Sequence, residues 1–171
     1  DCSISGTTDA TALGAFASEV SENGRIIDCV SFVRFTVSVK ANRNLSVSGA
    51  IGVNNGLIDG FMTSASGEIN IDSDKEFHVG STVGSNYGTM KNVNQSGRGG
   101  SVYVTLARSL NCNIGSCAGY NAGRIEHCFS ERAITINLSQ GDNVYLENSV
   151  LLGGFAGKND GVIENSLTLY G

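Results

Sequence analysis

Hydrophobic and polar residues alternate with a period of two over short stretches of this chain, and Gly, Ser, Asn and Asp bound the stretches. The cleanest examples are Glu68-Ile69-Asn70-Ile71-Asp72 and Ala133-Ile134-Thr135-Ile136-Asn137-Leu138. A second kind of run follows a glycine, as in Gly56-Leu57-Ile58-Asp59-Gly60-Phe61. A third is Phe77-His78-Val79-Gly80-Ser81-Thr82-Val83-Gly84. Side chains on a strand alternate between two faces, so each run predicts a short, half-buried strand with a turn on either side.

The three runs recur as a unit. Aligned on Gly-x-Asn-x-Gly-x-Ile, the chain shows Gly52-Val53-Asn54-Asn55-Gly56-Leu57-Ile58 and Gly84-Ser85-Asn86-Tyr87-Gly88-Thr89-Met90. Two further copies are Gly119-Tyr120-Asn121-Ala122-Gly123-Arg124-Ile125 and Gly157-Lys158-Asn159-Asp160-Gly161-Val162-Ile163. A weakened first copy is Val20-Ser21-Glu22-Asn23-Gly24-Arg25-Ile26, with Val20 and Glu22 in place of the first Gly and the Asn. The second glycines fall at 24, 56, 88, 123 and 161, giving spacings of 32, 32, 35 and 38. The expected fold is all-β: a right-handed parallel β-solenoid with about three short strands per coil and one 32–38 residue repeat per coil. It forms one domain over 1–171, with coils 24–55, 56–87, 88–122 and 123–160 and partial coils 1–23 and 161–171. A β-propeller blade needs four antiparallel strands joined by hairpin turns, and these units supply neither.

In a solenoid, residues at equivalent positions stack about 4.8 Å apart, so repeat columns become ladders. Ile26, Ile58, Met90, Ile125 and Ile163 form one apolar column, expected inside. Cys29, Phe61, Val93, Cys128 and Ser166 form a second inward column. Asn54, Asn86, Asn121 and Asn159 form an amide ladder able to bond along itself and to turn backbone, a structural use favoured over a calcium site. Asp59, Lys91, Glu126 and Glu164 are read as a solvated outer column.

Composition sharpens this picture. The chain carries 23 Gly and no Pro, which suits left-handed corners between strands whose N–H groups are all in use. A net charge of −5 without a Lys/Arg cluster argues against nucleic acid as a partner, and no apolar run is long enough to span a membrane. The chain opens on Asp1, from which we expect a processed product or a segment of a longer solenoid. Of the five cysteines, Cys112 and Cys117 are the candidate local disulfide, whereas Cys29 and Cys128, about 14 Å apart, are too distant to pair and serve as small buried hydrophobes. Asn-x-Ser sequons stand at Asn44, Asn94 and Asn137.

Catalytic chemistry is hard to assemble. His78 and His127 are the two histidines, and a Cys128–His127 nucleophile pair is disfavoured because neighbouring strand residues point to opposite faces. Gly97-Arg98-Gly99-Gly100 reads as a turn, with no Lys-Ser/Thr or helix after it to make a phosphate loop. Catalytic, cofactor-binding and metal sites are therefore expected to be absent.

The motif copies resemble the GLUG repeats, short Gly-rich repeats of bacterial surface and secreted proteins. The resemblance covers Gly52, Asn54, Gly56 and Ile58, Gly84, Asn86, Gly88 and Met90, Gly119, Asn121, Gly123 and Ile125, and Gly157, Asn159, Gly161 and Ile163. Similar repeats occur in cell-wall-anchored adhesins, in non-catalytic regions of immunoglobulin A peptidases and in large surface proteins of some anaerobic protists. The resemblance implies an extracellular or cell-surface structural or adhesive module rather than an enzyme, since no His-Glu-x-x-His metal motif is present. Expected partners are a second copy joined end to end, the rest of a longer chain, or a glycan or host-surface ligand. The alternatives are a polysaccharide-active β-helix enzyme and a carbohydrate-binding module, for which Tyr87, Tyr103, Tyr120, Tyr145 and Tyr170 are stacking candidates.

Overall fold

The computed structural model describes residues 1–96, 102–108, 111–131, 133–138 and 150–169. Among these residues all regular structure is β, and every strand pairing is parallel and stacks one coil on the next. The chain is a parallel β-solenoid. Each coil visits four faces in turn. The long face holds Cys2–Thr8, Val30–Ala41, Met62–Ser73, Val102–Arg108 and Ile134–Leu138, with the shorter Asn94–Gln95, Phe129–Ser130 and Leu167–Thr168. The second face stacks Ala12–Gly14, Leu45–Ser48, Phe77–Gly80, Cys112–Gly115 and Val150–Gly153. The third stacks Ala17–Val20, Ile51–Asn54, Val83–Asn86, Ala118–Asn121 and Ala156–Asn159. The fourth stacks Arg25–Ile27, Leu57–Asp59, Thr89–Lys91, Arg124–Glu126 and Val162–Glu164.

The short runs foreseen from alternation are therefore present, and the third run divides in two. Phe77 to Gly84 bends at Ser81 and Thr82, with Phe77–Gly80 on the second face and Val83–Asn86 on the third. The bend turns inward. A Cβ placed on Gly49, at the equivalent corner one coil earlier, would lie 2.5 Å from Ala65 Cβ and 2.6 Å from Phe35 Cε1, both on the long face. The cross-section is pinched there into two lobes. One apolar core, including Val37, Val39, Leu45, Val47, Ile69, Ile71, Phe77, Val79 and Ile114, lies between the long and second faces. The other, with Ile51, Ile58, Phe61, Val83, Met90, Val93, Ile125 and Cys128, lies inside the third and fourth faces.

Both inward columns read from the sequence are found as stacked ladders. Ile26 pairs Ile58, which pairs Met90, then Ile125 and Ile163; the three middle residues are fully buried. Phe61, Val93 and Cys128 are buried in the same core. In the first coil the register differs from the motif alignment. Val20, not Glu22, is opposite Asn54, while Arg25 is opposite Leu57. The first corner therefore carries two more residues than the next, and the weakened copy is an insertion as well as a substitution.

The glycines also differ in role from the expectation. The left-handed corner after the fourth face is taken by Asp28 (φ 50°), Gly60 (66°), Asn92 (53°), His127 (51°) and Asn165 (49°). Four of the five are Asp, Asn or His, the non-glycine types that visit this region most readily. The motif glycines are instead demanded by close approach. A Cβ on Gly88 would overlap the carbonyl oxygen of Gly56, one on Gly123 that of Gly88, and one on Gly161 that of Gly123. A Cβ on Gly84 would sit 2.7 Å from both the carbonyl oxygen of Gly52 and the amide nitrogen of Val47.

Gly88→Ala should accordingly destabilise the chain by about 2–3 kcal/mol through overpacking against backbone. Denaturant unfolding checks this, and an unchanged midpoint would mean that the coils can separate at this corner without cost.

Candidate functional site

The most continuous polar feature is the asparagine ladder inside the corner between the third and fourth faces. Asn54 Nδ2 donates to Asn86 Oδ1 at 2.7 Å, Asn86 Nδ2 to Asn121 Oδ1 at 2.7 Å, and Asn121 Nδ2 to Asn159 Oδ1 at 2.6 Å. The second amide hydrogen is directed at turn carbonyls, with Asn54 Nδ2 at 3.3 Å from the Thr89 oxygen and Asn159 Nδ2 at 3.2 Å from that of Gly161. Gly56 N donates to Asn54 Oδ1 at 3.1 Å. Asn54, Asn86 and Asn121 are fully buried. Each amide thus closes its own corner and clips it to the next coil, and Val20 ends the ladder below.

The acidic column lies on the outside of the fourth face and is balanced by its neighbours. Lys91 Nζ is 3.1 Å from Asp59 Oδ2, and Asn92 Nδ2 donates to Asp59 Oδ1 at 2.8 Å. Arg124 pairs with Glu126 at 2.9 Å and with Glu164 one coil above. The Asn92 hydrogen bond, then Lys91, holds Asp59 below the ordinary carboxylate range, and Arg124 does the same for Glu126. Glycoside hydrolysis needs one carboxyl held protonated near neutral pH. Asp59 and Glu126 are shifted the opposite way.

An aromatic cluster fills the outer notch where the second and third faces fold toward each other. His78 stacks on Tyr120 with ring centroids 5.1 Å apart, and Tyr87 meets Tyr120 edge-on at 5.8 Å. Lys158 Nζ lies 5.3 Å from the Tyr120 ring centre and 2.9 Å from Asp160 Oδ2. Tyr120 Oη donates to that same carboxylate oxygen at 3.0 Å. Asn113 Nδ2 donates to His78 Nδ1 at 2.9 Å, which leaves the ring proton on Nε2, 4.0 Å from Glu76. Burial pulls the His78 pKa below its ordinary value, opposed in part by Glu76. Read from the motif alone, Tyr87 and Tyr120 share one column; the register instead pairs Tyr120 with Ser85 and Lys158 and leaves Tyr87 in the turn beyond, and the cluster escapes the sequence because His78 reaches it from another run.

The thiols are structural. None of the five cysteines is in a disulfide, and the candidate Cys112–Cys117 bridge is not formed. Cys112 packs into the core beneath the second face and Cys117, beyond the inward bend, into the other core, so the bend separates the two side chains. Burial raises the Cys117 pKa well above its ordinary value and pushes Cys128 up to about 11. Thiolates are the reactive form, so both sites are inert near neutral pH. His127 sits on the left-handed corner beside Cys128, whose Sγ lies 3.3 Å from the Glu126 carbonyl oxygen. The Gly97-Arg98-Gly99-Gly100 turn, Tyr145 and Tyr170 lie outside the described residues, as does the side chain of Asn137. Asn44 and Asn94 are exposed. Among the described residues no group of three His, Cys, Asp or Glu side chains converges as a metal site, and no helix is long and apolar enough to cross a membrane.

No family model matches the chain, and comparisons with curated proteins and with solved structures also find no match.

Two outcomes test these arrangements. Asn86→Ala leaves the Asn54 donor and the Asn121 acceptor buried without their partners, and should lower stability by about 2–4 kcal/mol; a loss under about 1 kcal/mol would deny the ladder its role. For His78, a folded pKa below the unfolded value of about 6.5 means stability that is full above that pH and is lost as pH falls through the folded value. The wild-type chain should therefore unfold at lower denaturant at pH 5 than at pH 7.5, and His78→Gln should reduce that difference.

Proposed function

We propose that this chain is a non-catalytic structural or adhesive β-solenoid of the cell exterior, acting as a rigid scaffold that displays its outer columns and joins other solenoid coils end to end. The observation that carries the reading is the use of side chains. Those able to do chemistry are engaged in ladders that stiffen the coil stack: buried amides in the corner, ion pairs on the fourth face, desolvated thiols in the cores. The resemblance of the repeat to GLUG segments of surface and secreted proteins supports the exterior location. The geometry of the repeat supports end-to-end joining. Each coil offers the next a parallel backbone edge and the same inward apolar columns, so a coil of a second copy can extend the ladders already running through the first.

A glycan-binding role is the second reading, favoured by Tyr87 and Tyr103, each about half exposed on the outside of the solenoid. Tyr120 is a poorer platform, because His78 stacks on its ring and Lys158 lies close to it.

Electron microscopy and mass measurement on the purified chain test the first reading. Filaments, or a mass well above 17.8 kDa, support architectural use. Dispersed particles of monomer mass at all concentrations, together with glycan-array binding that Tyr87→Ala removes, would replace it with the second.

A further inference from the structure

The inward bend between the second and third faces meets a column of the long face that is polar in every coil. Seven residues past each second glycine stand Ser31, Thr63, Gln95, Ser130 and Thr168, paired in register from coil to coil. Ser31 is 8% exposed, and Thr63, Gln95 and Ser130 are fully buried. Opposite them the bend contributes Gly49, Ser81, Ser116 and Gly154. This polar seam forms the waist between the two apolar cores.

In its upper part the seam is closed by its own hydrogen bonds. Ser116 Oγ and Ser130 Oγ are 3.0 Å apart, Ser130 Oγ donates to Gln95 Oε1 at 2.6 Å, and Thr168 Oγ1 donates to the Gly154 carbonyl oxygen at 3.2 Å. One coil lower the pattern fails. Ser81 stands to Gln95 as Ser116 stands to Ser130, yet among the described residues Ser81 Oγ makes no hydrogen bond. Neither does Thr63 Oγ1, directly below Gln95 in the column, nor Gln95 Nε2 with its two donor hydrogens. Gln95 is the one long side chain in a column otherwise made of Ser and Thr, and its amide oxygen is drawn to Ser130 in the coil above, so Ser81 has no hydroxyl opposite it as Ser116 has in Ser130.

We infer that the waist holds a buried water bound by Thr63 Oγ1, Ser81 Oγ and Gln95 Nε2. Three hydrogen bonds to otherwise unsatisfied groups are the usual complement of a buried water, and three buried polar groups without partners would each oppose folding by about 1–3 kcal/mol. Water suits the set because it accepts from the amide while donating to, or accepting from, the two hydroxyls. An apolar guest would leave all three unsatisfied. The water joins the bend to the long face in the one coil where the seam does not close by its own hydrogen bonds.

Magnetic relaxation dispersion of solvent water over the folded chain, with a crystal structure at a resolution that shows ordered water, tests this. The expected result is a long-lived internal water, located between Thr63, Ser81 and Gln95. In the triple variant Thr63→Val, Ser81→Ala and Gln95→Leu the dispersion amplitude should fall, with circular dichroism confirming the β fold. If that variant does not fold, the crystallographic position in the wild-type chain decides alone. A wild-type structure in which Thr63 Oγ1 bonds Gln95 Nε2 directly, with no water between them, overturns the proposal, as does an unchanged dispersion amplitude in a folded triple variant.

Discussion

Each coil rests on the one below through parallel backbone hydrogen bonds, at the roughly 4.8 Å spacing of neighbouring strands. At the corner between the third and fourth faces this contact leaves no room for side chains: the space for a Cβ on Gly88 is taken by the carbonyl of Gly56, and that on Gly123 by the carbonyl of Gly88. A column without side chains lets backbone stack on backbone there. With the register held at that point, every other residue has a set neighbour above and below. The apolar columns, the amide ladder and the outer ion pairs are all consequences of that register.

The interior is not uniformly apolar, and its polar parts do different work. The Asn54 to Asn159 ladder pairs like with like, Asn54, Asn86 and Asn121 each donating to the next amide and to turn carbonyls, so identical side chains satisfy one another from coil to coil. The waist column mixes Ser, Thr and Gln, whose reach differs by several bonds, and its hydrogen bonds close only where the lengths happen to match. Buried polar groups in a low-dielectric core favour a single arrangement when satisfied and weigh against folding when they are not. The ladder therefore specifies register, while the waist accommodates the bend that divides the core.

The outer surface follows the same column logic with charge in place of packing. Lys91 pairs with Asp59, and Arg124 bridges Glu126 and Glu164, so the two carboxylates stacked at the top of the fourth face share one cation. Exposed pairs of this kind contribute little to stability each, and salt screens them. Their effect is on which surface is presented: a stripe of paired charges with one carboxylate in excess. In the outer notch, His78, Tyr120 and Lys158 from three strands and Tyr87 from a turn are drawn into one cluster that only the inward bend creates.

The sequence by itself determined the repeat, its period, the parallel stacking and the two innermost apolar columns, because a solenoid translates one-dimensional periodicity directly into contact. Residues at equal offsets from a motif glycine touch whatever the details of the cross-section. The same logic made the asparagine ladder and the solvated acidic column legible. Only the tertiary structure decided how a coil closes on itself. The bend at Ser81 and Thr82, the division into two cores that separates Cys112 from Cys117, and the shift that puts Val20 opposite Asn54 all depend on contacts across the coil. Those contacts join residues such as Gly49 and Phe35, or Ser116 and Ser130, that no repeat offset relates. The left-handed corners were hidden for a related reason. Asp28, Asn92, His127 and Asn165 share a conformation with Gly60 while sharing no single residue type, since what that corner selects is a backbone angle that several side chains tolerate.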